Sequence, residues 1–250
     1  MSLEELQEFD GLRGVRDQLT RFMMSYKFGL DEVLTKINIL RDEFNYIHEY
    51  NPIEHINSRL KSPDSILDKI SRKNCPPELD QIKAQILDIA GVRITCSFVS
   101  DIYKVRQMLV GQADLTLIAE RDYIADPKPN GYQSLHLIVK VPVFMSDRVE
   151  DVTVEIQLRT IAMDFWASLE HKIYYKYNKS VPDGLVAELK KAAEVASQLD
   201  RQMEHLHTAV LRHGGDGDEV ILMDQEAVEL LPSREMLRAM LQSTRMRRSG

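Results

Sequence analysis

Along this chain the spacing of apolar residues changes from steps of three and four to steps of two, and then back again. Leu30, Val33, Leu34, Ile37, Leu40, Phe44 and Ile47 recur at three- and four-residue steps, the apolar stripe of an amphipathic helix. The spacing predicts helix over residues 1–50, broken or restarted at Asn51-Pro52. Residues 53–73 mix apolar and basic positions. Cys75-Pro76-Pro77 reads as a loop, and residues 78–89 as a short amphipathic helix. Then Val92, Ile94, Cys96 and Phe98 alternate with Arg93, Thr95 and Ser97, the period of a strand. A helix over 101–111 and a weaker strand over 115–124 follow. Asp126-Pro127-Lys128-Pro129-Asn130-Gly131 is a turn, rigid at its prolines and permissive at Gly131.

Two clear strands come next. Leu135, Leu137, Val139 and Val141 share one face, with Ser134, His136 and Lys140 on the other. In residues 151–159, Val152, Val154, Ile156 and Leu158 alternate with Asp151, Thr153, Glu155, Gln157 and Arg159. The helical period returns over 160–177, with Ile161, Phe165, Leu169 and Ile173 at four-residue steps. After the turn Pro182-Asp183-Gly184, a long helix is expected over 185–211. His213-Gly214-Gly215-Asp216-Gly217-Asp218 reads as a hinge. Helices flanking four or five strands predict an α+β fold with a mixed, partly antiparallel central sheet. The expected organisation is one domain over residues 1–213, with N- and C-terminal helices, and a flexible C-terminal tail over 214–250.

Composition narrows the function. With 250 residues, 44% hydrophobic and 28% charged, the chain is ordinary for a globular protein. A net charge of −7 argues against a general nucleic-acid binder, so any polyanion site must be a local basic patch. The two cysteines, Cys75 and Cys96, fit reduced thiols of a cytoplasmic protein. The acidic start lacks the order of a secretory signal, and no apolar run is long enough for a bilayer.

Four clusters can do chemistry. Lys61, Ser65 and Lys69 are four apart, with Arg59, Arg72 and Lys73 nearby, and on a helix the three would share a face able to clasp a polyphosphate. The alternative is a solvated basic face partnered by Asp64 and Asp68. Asp88 lies where a helix hands over to a strand beside Arg93, as a loop-edge Mg²⁺ ligand or as a plain turn aspartate. Arg121, Lys128, Tyr132 and His136 surround the Asn130-Gly131 turn, where Tyr132 could stack on a purine or pack in the core. Glu155 and Gln157 share a polar strand face with Arg159. Glu155 can bind metal, but as a base toward a sugar hydroxyl it needs a pKa raised above its ordinary value. The alternative is a sheet edge facing water. There is no G-x-x-x-x-G-K-[ST] loop and no zinc-ligand spacing.

In order, SRLKSPDSILDKISRK, DIAGVRI, RDYIADPKPNGYQSLH and VEIQLRTIAMDFWASLEHKIYYKY resemble the synthetase domain of the RelA/SpoT family, and more narrowly its single-domain small alarmone synthetases. The likeness runs from about residue 20 to about residue 180. It implies a sheet related to that of nucleotidyltransferases. It also implies Mg²⁺-dependent transfer of pyrophosphate from ATP to the 3′-oxygen of GDP or GTP, giving AMP and guanosine tetra- or pentaphosphate. Arg59 and Arg93 would then sandwich adenine, and Lys61, Ser65 and Lys69 would hold the ATP phosphates. Asp88 and Glu155 would be the catalytic carboxylates and the metal ligands, Glu155 alternatively a base. Tyr132 would stack on guanine, Lys128, His136, Gln157 and Arg121 would grip the acceptor, and Asp164 would face the guanine edge. The resemblance further implies a homotetramer that makes but does not hydrolyse alarmone, without dependence on the ribosome. The sequence carries no indication of RNA binding. Two other readings stand beside this one: a non-catalytic sensor of guanine nucleotides or single-stranded RNA, and a nucleotidyltransferase with another acceptor.

Overall fold

The structure, a computed structural model, describes residues 3–48, 50–177, 181–213 and 236. Helix α1 (Leu3–Ile47) precedes strand β1 (Ile53–Leu60), helices α2 (Pro63–Lys73) and α3 (Leu79–Gln85), strand β2 (Ala90–Cys96) and helix α4 (Val99–Val110). Strands β3 (Thr116–Asp122), β4 (Leu135–Phe144) and β5 (Val149–Thr160) follow, then helices α5 (Ile161–Lys176) and α6 (Asp183–His213). The five strands form one sheet in the order β1-β2-β5-β4-β3. Only β2 and β5 run parallel, while the other three pairs are antiparallel. The expected α+β class with a mixed sheet is what the chain adopts. The hinge after His213 and the tail over 214–250 lie outside the described residues, apart from Met236.

The apolar side of the alternation is the core. Val92, Ile94, Leu137, Val139, Val154, Ile156 and Leu158 are buried against Phe22, Tyr26, Leu30, Val33 and Ile37 of α1 and Ile102, Val105 and Leu109 of α4. Helix α1 lies so close to β5 that a Cβ on Gly29 would meet Val152 Cγ1 at 2.5 Å, so glycine is required there. A second, smaller core joins α5 and α6 through Trp166, Ala167, Leu189 and Ala193, with Tyr132 packed against it.

Three expectations need correction, and one strand forms where no element was expected. Residues 53–60 form strand β1; Ile53, Ile56 and Leu60 are spaced like a helix face because this edge strand buries little. The helix expected over 78–89 ends at Gln85; Ile86 and Ile89 are buried on either side of a turn that leads to β2. The α1 stripe leaves the core before Ile47, which is 72% exposed. In α5 most of the four-residue series is outward: Ile161, Phe165 and Leu169 are exposed, whereas Met163, Trp166 and Ala167 are buried and only Ile173 of the series packs on the second core.

Helix α6 is tied to the sheet through a buried acid. Thr160 Oγ1 donates to Asp200 Oδ2 at 2.8 Å and accepts from the Met163 amide at 3.1 Å. Burial pushes the Asp200 carboxyl up to about 6, against the Thr160 hydrogen bond and with the repulsion of Glu204. A raised carboxyl pKa means stability that is complete below the unfolded value and lost as pH rises through the folded one. Asp200→Asn keeps an acceptor for Thr160 and removes the buried charge. The variant is expected to be more stable by roughly 1–3 kcal/mol at pH 7.5 and no more stable than wild type at pH 4. Urea titrations at the two pH values check this.

Candidate active site

The register sets two rows of residues across the polar face of the sheet. One row reads Arg59, Gly91, Glu155, Ile138 and Ala119, from β1 to β3. The adjacent row reads Asn57, Arg93, Gln157, His136 and Arg121. Because side chains two apart share a face, Glu155 sits at the centre of the sheet. Arg59 and Arg93, expected for ATP, lie on the β1–β2 side of it, and His136 and Arg121, expected for the acceptor, on the β4–β3 side; Gln157 shares β5 with Glu155, and Asp164 pairs with Arg93 rather than standing apart from the ATP group.

Lys61, Ser65 and Lys69 do not share one helix face. Lys61 lies just past β1, its amide donating to the Ile89 carbonyl at 2.8 Å. Ser62 caps α2, accepting from the Ser65 amide, and Ser65 and Lys69 lie on α2. The two lysines still meet, because Lys61 Nζ donates to Asp88 Oδ2 at 2.8 Å and Lys69 Nζ to the same oxygen at 2.5 Å. Their anion is Asp88, between α3 and β2, rather than Asp64 or Asp68. Burial pushes the Asp88 carboxyl up, but the hydrogen bonds and charges of the two lysines prevail and hold it below the ordinary carboxylate value. Burial also lowers the Lys61 ammonium, against its bond to Asp88.

Glu155 is held on both oxygens. His136 Nδ1 lies 3.2 Å from Oε1, and Gln157 Nε2 donates to Oε2 at 2.9 Å. Burial raises this carboxyl, while His136 and Gln157 outweigh that and the repulsion of Asp88, leaving it below its ordinary value. A cavity of about 160 Å³ opens between Lys69, Lys73, Asp88, Arg121, His136 and Glu155. That volume suits a cation with phosphate groups, not a whole nucleotide. A larger cavity of about 510 Å³ lies between α1 and the β4–β5 hairpin, away from every cluster expected to be reactive.

The loop over 126–131 is braced from inside. The Gly131 amide donates to the Lys128 carbonyl at 2.8 Å and the Lys128 amide to the Tyr132 carbonyl at 3.1 Å. Gly131 has φ +90°, and a Cβ there would meet Ala193 Cβ of α6 at 2.5 Å, so both backbone and space demand glycine. Lys128 Nζ lies over the rings of Tyr123 and Tyr132, at 4.5 and 4.6 Å from their centroids. Asp164, at the start of α5, accepts from Arg159 Nη1 at 3.1 Å and forms an ion pair with Arg93 Nη1, also at 3.1 Å. Arg59 and Arg121 are exposed on their strands.

Residues 58–180 match the family model described as a region found in RelA / SpoT proteins. The GTP pyrophosphokinase YwaC of Bacillus subtilis is 54% identical over 194 residues, which is 78% of this chain and 92% of that protein. The chain belongs to the RelA/SpoT family. Among solved structures, small alarmone synthetase 1 from Bacillus subtilis bound to its product pppGpp superimposes with a TM-score of 0.73 at 40% identity, covering 77% of this chain and 98% of that one. The same synthetase bound to AMPCPP gives a TM-score of 0.67 at 36% identity, covering 78% of this chain and 98% of that one. Every site residue expected from the sequence, from Arg59 to Asp164, falls inside the RelA/SpoT region; Asp200 and the rest of α6 lie beyond it.

The RelA/SpoT region also holds three buried side-chain polar atoms that make no hydrogen bond among the described residues: Asp88 Oδ1, Arg93 Nε and Arg159 Nε. An unpaired buried carboxylate oxygen is costly and marks a position built for a ligand. Both carboxyls are ionised at neutral pH, and both offer hard oxygen donors. Among the described residues no three His, Cys, Asp or Glu side chains cluster as a metal cage. Two carboxylates completed by substrate phosphates is the way Mg²⁺ is commonly held, so these residues fit that ion. Two residues of the site were not assigned from the sequence. Arg159 was visible in the same alternation as Glu155 and Gln157, but an arginine at a strand end reads as surface; here it is 4% exposed. Tyr123 could have been found because it and Tyr132 bracket the proline-rich loop.

Proposed function

We propose that this RelA/SpoT-family chain is a GTP/GDP pyrophosphokinase, carrying the β,γ-diphosphate of ATP to the ribose 3′-oxygen of GDP or GTP. The observation that supports it is the central place of Glu155, beside Asp88, between the Lys61–Lys69 pair and the Tyr123–Tyr132–His136 wall. The 3′-oxygen attacks the β-phosphorus in line and releases its proton to water, the bond from the β-phosphorus to the α–β bridging oxygen breaks, and AMP leaves with that oxygen. Such chemistry needs positioning and charge neutralisation more than covalent help.

Lys61 and Lys69 bind the donor phosphates, with Ser65 beside them, and Arg59 and Arg93 bracket adenine. Each stacked guanidinium contributes roughly 0.5–2 kcal/mol. Tyr132 stacks on guanine and Asp164 meets its edge, while Lys128, Arg121, His136 and Gln157 hold the acceptor's ribose and phosphates. Asp88 and Glu155 would hold Mg²⁺, which supplies charge neutralisation at the transferring group when bound. A lowered pKa makes Glu155 a better ligand than a base, which sharpens the two roles expected for it.

The same reading extends to assembly and context. Exposed apolar positions on α1 (Leu12, Val15, Leu19), α5 (Ile161, Phe165) and α6 (Leu199, Met203, Leu206) support a homotetramer. No described helix is long and apolar enough to cross a membrane. The two unbridged cysteines support a cytoplasmic enzyme. We place it as a synthetase that works without ribosomes and leaves the tetraphosphate intact. Incubation with ATP, GDP and Mg²⁺, followed by nucleotide separation, is expected to yield AMP and guanosine tetraphosphate in equal amounts. Labelled tetraphosphate alone is expected to persist. Absence of both AMP and tetraphosphate would count decisively against the reading, and equal use of ADP as acceptor would point to another transferase.

A further inference from the structure

Arg159 is buried at the end of β5, touches neither the carboxylate pair nor the cavity, and yet lies at the origin of both side-chain hydrogen bonds that reach Glu155 among the described residues. Its Nη1 is anchored on Asp164 Oδ1 at 3.1 Å. Its Nη2 lies 2.7 Å from Tyr132 Oη and 2.9 Å from Gln157 Oε1. A guanidinium nitrogen has only protons to give, so both contacts are donations, one from each proton of the same nitrogen. From there two chains run to the same carboxylate.

On one side, Gln157 accepts at Oε1, which leaves its amide nitrogen to donate to Glu155 Oε2 at 2.9 Å. This also settles which way round the Gln157 amide sits. On the other side, the Tyr132 hydroxyl accepts from Arg159, so its own proton is free for His136 Nε2, 2.7 Å away. With the phenolic proton turned toward it, that nitrogen is the acceptor, an arrangement that the tautomer of His136 decides. In that arrangement the proton of His136 rides on Nδ1, which lies 3.2 Å from Glu155 Oε1. Tyr123 stands edge-on to the His136 ring at 5.3 Å and limits its rotation.

We propose that Arg159 is the positioning residue of the pyrophosphate transfer: its Nη2 group orients both oxygens of Glu155, through Tyr132 and His136 on one side and through Gln157 on the other. The inference rests on the pyrophosphokinase reading for its rate consequence, but the chain of donors stands on geometry alone. It also joins the acceptor's contacts to the reacting centre, since Tyr132, His136, Gln157 and Asp164 are all assigned to the acceptor.

The test has two readouts. In protein labelled with ¹⁵N-histidine, at pH 8 and without metal or nucleotide, the His136 signal (assigned by its loss in His136→Gln) is expected to be the Nδ1–H tautomer. Tyr132→Phe, which keeps the ring, and Arg159→Gln are each expected to shift it toward Nε2–H. In turnover, Arg159→Gln and Arg159→Lys are expected to lower kcat about 100-fold, the scale of a misplaced reacting group, with KM for ATP within about threefold of wild type. Lysine fails because one ammonium cannot make the fork. Tyr132→Phe removes one chain only, and kcat is expected to fall roughly tenfold. It serves as the informative variant if both Arg159 replacements fail to fold. An Nε2–H or doubly protonated His136 in wild type overturns the proposal, as does wild-type kcat in Arg159→Lys or in Tyr132→Phe. A wild-type protein that makes no tetraphosphate overturns the functional reading instead, and the tautomer still decides the donor chain.

Discussion

Glu155→Gln is expected to lower AMP and tetraphosphate formation by about 10³-fold, the scale of losing roughly 4 kcal/mol of transition-state stabilisation. The substitution keeps the shape and one acceptor oxygen. It removes the negative charge from the centre of the sheet, where donor and acceptor would meet. It also sets an amide donor against either His136 Nδ1 or Gln157 Nε2, both of which now serve the carboxylate. The cost to folding is small, about 1–2 kcal/mol for one mismatched hydrogen bond. Nucleotide separation together with a urea titration distinguishes the two effects. Retention of more than a tenth of wild-type turnover in a folded variant would contradict the role given to this carboxylate.

Asp88→Ala is expected to abolish transfer and, unlike the change at 155, to weaken the fold. Lys61 and Lys69 share Asp88 Oδ2, and the Lys61 side chain is only 9% exposed. Removing the anion leaves two nearby ammonium groups, one of them buried, without a counter-charge. Breaking a fully buried pair costs about 3–5 kcal/mol. Asp88 keeps 22% of its side-chain surface, so roughly 2–4 kcal/mol is expected here.

The pH dependence follows from the depressed Asp88 carboxyl. Such a group contributes stability that is present above its unfolded pKa and lost as pH falls through its folded one. The gap between wild type and Asp88→Ala is therefore expected to be constant near neutrality and to shrink below about pH 4. Urea titrations across that range check it. A variant as stable as wild type at pH 7 would mean that the lysines do not depend on this aspartate.

How much of this was legible depends on whether a feature is local. Strands β2, β4 and β5 bury one face and expose the other, so strict alternation marks them. Strand β1 is an edge strand with little burial, and its three apolar residues fall at helix-like spacing. The segment after Gln85 failed for the opposite reason: Ile82, Ile86 and Ile89 continue the helical step while the backbone has already left the helix. In α5 the periodicity identified a face but not which side it took, because Trp166 and Met163 are better buried than Phe165.

The site divides in the same way. The residue types on β4 and β5 announced a polar face, and the order of four motifs announced the RelA/SpoT region. The meeting of Lys61 and Lys69 on Asp88 depends on where α2 packs relative to β2. The two rows across five strands depend on register between segments up to about a hundred residues apart. The burial of Arg159 depends on α5 folding back over the end of β5. No spacing within one segment encodes those facts. Asp200 carried no signal at all, since one acid on a long helix looks like any other.

The central claim is that the carboxylates of Asp88 and Glu155 share one divalent cation between donor and acceptor. A crystal structure with Mn²⁺, a non-hydrolysable ATP analogue and GDP, with the ion located by its anomalous scattering, tests this most directly. The expected result is one ion with an oxygen of each carboxylate about 2.0–2.2 Å away and guanine on the Tyr132 ring. An ion held by phosphates alone, with Glu155 outside coordinating distance, or an acceptor base away from Tyr132, would contradict it.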